Sequence, residues 1–169
     1  VADAFVLMQA AAKKEGINLY SLSSYRSYDH QLRIYNRKWK RYKGQGMEGL
    51  DIVNKIIEYS TIPGTSRHHW GTDLDVIDAD ITVNGDKLLS SNYENGGVYE
   101  KLGKWLRANS ELYGFYLVYT KTSSRKGFKY EPWHLSYRKL SQPMLKAYLS
   151  KDWKSQLKNI IGYEFMDAD

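Results

Sequence analysis

Cysteine is absent from this 169-residue chain. That gap removes disulfides, thiolate zinc fingers and cysteine nucleophiles together, while leaving the compartment open. No apolar run approaches the roughly 18 residues of a membrane-spanning helix. No basic-then-apolar secretion signal opens the chain, because Val1 to Ala12 already reads as a helix. Repeats, low-complexity tracts and interdomain linkers are lacking too, so one domain over residues 1–169 is expected. Acidic residues are the minority, 19 against 25 basic, which leaves a net charge of +6 beside 15 tyrosines and 5 tryptophans. Such a surface suits nucleic acid, but suits an anionic glycan or a cell wall equally well.

Periodicity supplies the elements. Phe5, Met8 and Ala12 share a helical face before Gly16, and Ile17 to Ser23 alternates as a strand. Ser27 is a candidate N-cap for a helix to about Lys43, with Leu32, Tyr35 and Trp39 inward. Arg33, Arg37, Lys38, Lys40 and Arg41 are assigned to its outer, solvated face. A short helix over Leu50 to Tyr59 and a strand over Thr72 to Ile77 follow. Asp80 to Gly97 reads as a hairpin or long surface excursion, and Val98 to Leu112 as a helix. Phe115 to Tyr119 and Gly127 to Tyr130 read as paired strands, Trp133 to Tyr137 as another strand. Two amphipathic segments, Gln142 to Leu149 and Trp153 to Ile161, end the chain. Helices and short strands mix without a βαβ rhythm, so the class is α+β.

Three of the four histidines lie in two short segments, Ser66-Arg67-His68-His69-Trp70-Gly71-Thr72-Asp73-Leu74-Asp75 and Glu131-Pro132-Trp133-His134. Two imidazoles and a carboxylate are the ligands of a catalytic zinc that keeps a fourth position for water. A spare glutamate is the base such a water needs. In a strand, Asp73, Asp75 and Ile77 point one way and Leu74 and Val76 the other. His68 or His69 can turn back towards them over Gly71, so the spacing leaves both choices open. Strand geometry alone would send Glu131 and His134 to opposite faces, but Pro132 is expected at a strand start or bulge, where the alternation breaks. The His-Glu-x-x-His signature is missing. A Ser-His-Asp site built on Ser66 lacks a Gly-x-Ser-x-Gly elbow.

Ser66-x-His68-x-x-Gly71-x-x-x-Asp75 and Glu131-x-Trp133-His134 resemble the two zinc motifs of the VanY-type D-alanyl-D-alanine carboxypeptidases. Ser24-Tyr25-Arg26-Ser27 with Gln31 and Tyr35 resembles a third family segment, and the likeness runs from about Phe5 to Leu140. It implies a small central antiparallel sheet flanked by helices, as in the related lysostaphin and hedgehog zinc domains. It implies one zinc per chain on His68, Asp75 and His134, Glu131 as catalytic base, and Arg26, Gln31 and Ser66 on the substrate. The family usually has a small residue where Asp73 stands. Asp73 would then orient a ligand histidine or compete with Asp75. The implied activity is release of a terminal D-alanine from peptidoglycan stem peptides. An L-alanyl-D-glutamate-type endopeptidase and a non-catalytic zinc-containing wall-binding module are the alternatives. A monomer without nucleic-acid partner is expected, the catalytic portion of a longer exported precursor acting in the bacterial periplasm or cell envelope.

Overall fold

A computed structural model describes residues 1–122, 128–152 and 154–166. The chain forms α1 (Ala2–Lys14), β1 (Leu19–Ser23), α2 (Tyr28–Gly44), α3 (Gly49–Ile57), β2 (Asp73–Asp78), α4 (Glu100–Asn109), β3 (Phe115–Leu117), β4 (His134–Tyr137) and α5 (Arg138–Leu149). The four strands make one antiparallel sheet in the order β1-β2-β4-β3. This is the expected α+β arrangement, a small sheet among helices.

One core fills the space between the sheet and helices α1 and α4. Met8 and Ala12, Leu102 and Leu106, and Val76, Trp133 and Leu135 are buried there. The α4 stripe follows from spacing, since Leu102, Trp105 and Leu106 lie on one face of the helix. A second core joins Tyr35 of α2, Ile52 and Ile56 of α3, and Leu157 and Ile160 near the C-terminus. The α2 start is as the sequence predicts, because Ser27 Oγ accepts the His30 N–H at 3.2 Å.

Several segments differ in detail from the sequence reading. Phe115–Leu117 pairs with β4, Phe115 opposite Tyr137, and the described residues 128–130 form no strand; Gly127 itself lies outside the described residues. Of the two readings of Asp80 to Gly97, the structure has the long surface excursion and not the hairpin: the segment contains no strand and carries a 3₁₀ turn at Ser90–Tyr93. Helix α5 begins at Arg138, four residues ahead of Gln142, and contains Pro143. The segment expected to start at Trp153, a residue outside the described set, carries a 3₁₀ turn at Lys154–Leu157.

Strand β2 is buried along its whole length. Its partner strands decide what its acidic residues face, because directly opposed residues in an antiparallel pair share a side of the sheet. Asp75 is opposite His134 on β4, and Asp73 is opposite Ser136. On the other edge Asp75 is opposite Ser23, after a bulge between Ser21 and Ser23. The bulge turns the end of β1, and with it Ser24 and Arg26, towards the same place.

Candidate metal centre and active-site cleft

His68 stands on a 3₁₀ turn, Arg67–Trp70, whose start is fixed by Ser66 Oγ accepting the His68 N–H at 3.3 Å. Gly71 ends the turn at a φ of 69°, a left-handed conformation that glycine adopts without strain. The chain can therefore enter β2 at once, and Asp75 comes to face His68. His68 Nε2 lies 3.3 Å from Asp75 Oδ2, while its Nδ1 meets the Ser24 carbonyl at 2.7 Å. Across the sheet, His134 Nδ1 lies 3.2 Å from Asp75 Oδ1.

One ligand atom each from His68, Asp75 and His134 falls within 4.8 Å of the others, and all three residues are buried. Asp75 Oδ1 is buried and makes no well-aligned hydrogen bond, with His134 Nδ1 at 3.2 Å as its near neighbour. A buried carboxylate oxygen without a well-aligned donor is costly unless something positive meets it. Two nitrogens and one oxygen around such an atom fit a zinc ion with an open fourth position.

The ambiguities left by the spacing are resolved by contacts. His69 turns away: its Nδ1 donates to the Arg26 carbonyl at 2.6 Å and its Nε2 accepts the Gly64 N–H at 3.2 Å. Asp73 stands behind His134, 3.3 Å from Nε2, which leaves Nδ1 directed at Asp75. Asp73 is held in turn by Arg67 Nε at 3.2 Å, Thr72 Oγ1 at 3.0 Å and Ser136 Oγ at 3.2 Å. The sequence reading gave Arg67 no role, although it is buried and also donates to Ser136 Oγ and Tyr116 Oη.

Glu131 reaches the centre through a turn. The His134 N–H donates to the Glu131 carbonyl at 3.2 Å, so the strand begins only at His134 and the alternation argument does not apply. Glu131 Oε2 thus comes 3.4 Å from His134 Nδ1. Arg26 approaches from the other side, its Nη2 3.9 Å from Asp75 Oδ2. Its guanidinium donates to Gln31 Oε1 at 2.9 Å and Ser23 Oγ at 3.0 Å. Gln31 is fully buried and anchored on the Thr61 carbonyl at 2.7 Å, so it sits behind Arg26.

The electrostatics follow from this crowding. Burial raises the Asp75 pKa, but the His134 and His68 imidazoles outweigh it and hold the carboxyl well below the usual aspartate range. Burial likewise works against Asp73, and His134, Arg67 and Ser136 overcome it to lower its pKa. His134 moves the other way: burial disfavours its charge, yet Asp73, Asp75 and Glu131 push it well above the ordinary value. The centre demands positive charge, which a divalent cation would meet.

His68, Asp75, His134, Glu131, Arg26 and Ser66 all line one cleft of about 500 Å³. Residues 1–140 match the VanY family of D-alanyl-D-alanine carboxypeptidases. The chain belongs to that family. A D-alanyl-D-alanine carboxypeptidase of Enterococcus faecalis is 30% identical over 128 residues, 75% of this chain. The chain spans 42% of that protein, and 44% of a Bacillus subtilis relative, YodJ, that is 36% identical over 137 residues. Among solved structures, the LdcB LD-carboxypeptidase matches with a TM-score of 0.62 and 30% identity, covering 97% of this chain and 66% of its own. A VanY mutant from a VanB-type resistance cassette, in complex with Zn(II), shares the fold at a TM-score of 0.64 and 23% identity, with 88% and 81% covered.

Proposed function

We propose that this VanY-family chain is a zinc-dependent carboxypeptidase that removes the terminal D-alanine from peptidoglycan stem peptides in the bacterial cell envelope. The observation that carries the reading is the buried Asp75 carboxylate between His68 and His134, with Glu131 and Arg26 on the same cleft. Zinc held there supplies Lewis-acid polarisation of the scissile carbonyl and an acidified water. Glu131 takes the proton of the attacking water and hands it to the departing amine. The Arg26 guanidinium, steadied by Gln31 and Ser23, offers its fork of donors to the substrate's terminal carboxylate. Gln31 acts through Arg26, and Ser66 fixes the turn that presents His68 while lining the cleft.

The test uses zinc-loaded protein and synthetic peptides ending in D-Ala-D-Ala, with products identified by mass. The expected outcome is loss of one D-alanine from the free acid and little cleavage of the C-terminal amide. Glu131→Gln should keep its zinc and lose about 100- to 10,000-fold in kcat. Equal cleavage of acid and amide would point to an endopeptidase, and undiminished turnover in Glu131→Gln would remove the assigned base.

A further inference from the structure

The α2 helix presents a second cation to the cleft that the chemistry above does not use. Ile34, Lys38 and Arg41 all line the cleft. Their spacing of four and three residues puts them on one helical face, so Lys38 does not belong to the solvated side with Arg33, Arg37 and Lys40. Lys38 is half-buried. Among the described residues it makes no hydrogen bond or ion pair, whereas Arg67, another cation of the same lining, is paired with Asp73. Burial lowers its pKa, Glu131 pulls the other way, and Arg41, Arg26 and Arg37 add to the lowering. An unpaired ammonium beside two guanidinium groups is a charge arrangement that a bound anion relieves. Arg26 is taken up by the terminal carboxylate, and Lys38 and Arg41 line the same cleft.

We infer that Lys38, assisted by Arg41, is a specificity residue that binds a second carboxylate of the substrate, on a residue N-terminal to the scissile bond. The preferred ligand is then a peptide carrying both a free C-terminus and an internal free carboxylate. This rests on the peptidase reading above but selects among its substrates. Leu88, Leu89, Ser90 and Ser91 line the same cleft and offer uncharged side chains to the rest of the peptide, with the Asp86 carboxylate beside them.

The test compares two peptides ending in D-Ala-D-Ala, identical except that one internal acidic residue is free or converted to its carboxamide. The zinc-loaded wild type should favour the acid by about 10-fold in kcat/KM, mostly through KM, as expected of binding that is uniform along the reaction. Lys38→Gln should lose that preference, its ratio of kcat/KM for the two peptides falling to about one. Lys40→Gln, on the solvated face, should retain the preference. Titration of both peptides into zinc-loaded Glu131→Gln, with and without Lys38→Gln, reads the same discrimination as affinity without turnover. A wild type that binds the acid tightly but cleaves neither peptide would overturn the carboxypeptidase reading and uphold this one. Equal handling of the two peptides by wild type, or the same loss in Lys40→Gln as in Lys38→Gln, would overturn the inference alone.

Discussion

The Nε2 atom of His134 lies 3.3 Å from Asp73 Oδ1, on the far side of the ring from the Nδ1 that faces Asp75 and Glu131. A carboxylate there holds the proton on Nε2, fixes the ring plane and makes Nδ1 a better donor to a metal. Asp73→Asn keeps the shape but removes the charge. It should weaken zinc binding by about 10- to 100-fold, measured by competition with a chromogenic chelator. It also strips Arg67, a buried guanidinium, of its carboxylate, so unfolding should become easier by about 3–5 kcal/mol. Unchanged zinc affinity would reduce Asp73 to a structural partner of Arg67. The spacing could not settle this, since Asp73 and Asp75 share a strand face. What separates them is register: Asp75 is opposite His134 and Asp73 opposite Ser136. Register is a relation between segments some sixty residues apart, and neither segment contains it alone. The three residues of the candidate metal site were legible as a group all the same, because motif order carries them, as was the Ser27 cap of α2.

At the scale of elements, strong periodicity was read correctly and weak periodicity was not. Helices α1, α2 and α4 show clear apolar stripes and lie where expected. The face of α2 was misjudged, because a stripe of Ile34, Lys38 and Arg41 looks like solvated charge until a cleft is known to pass it. The excursion from Asp80 to Gly97 has no stripe, and packing places it. A Cβ on Gly103 of α4 would come 2.3 Å from the Tyr93 carbonyl oxygen, so α4 can meet the 3₁₀ turn Ser90–Tyr93 only because that side chain is missing. Ser90 and Ser91 of the same turn line the cleft. Gly103→Ala should therefore cost about 1–3 kcal/mol from overpacking and raise KM for the peptide by displacing the turn. Gly71→Ala is the contrast: its Cβ would meet nothing within 4 Å, but φ is +69°. Its cost is backbone strain alone, about 1–2 kcal/mol. Denaturant unfolding with peptide kinetics checks both, and wild-type stability and KM in Gly103→Ala would refute the packing argument.

Across the whole molecule, the proposed zinc ligands come from the Arg67–Trp70 turn, β2 and β4, and α2 and the Glu131 turn close over them. An ion bound by the folded chain alone stabilises all of these together. At 100 times its Kd the gain is about 2.7 kcal/mol, and for a chain this size that is about 5–10 °C in Tm. The gain should depend on pH. In metal-free protein Asp75 has a lowered pKa, so its contribution is present above the ordinary aspartate range and fades as pH falls through the lowered value. His134 has a raised pKa, set by Asp73 and Asp75 from β2 and by Glu131. Its contribution is full below the ordinary histidine value of about 6.5 and is lost as pH rises through the raised one. The metal-free form should therefore be less stable at pH 8 than at pH 6. Zinc requires both imidazoles unprotonated, so its affinity rises over the same interval. Thermal unfolding with zinc or with chelator, at pH 5.5 and pH 8, should give the larger zinc-induced rise at pH 8. A chelator that leaves Tm unchanged at both values would mean that His68, Asp75 and His134 hold no ion. An equal rise at both would mean that proton release from His134 is not part of binding.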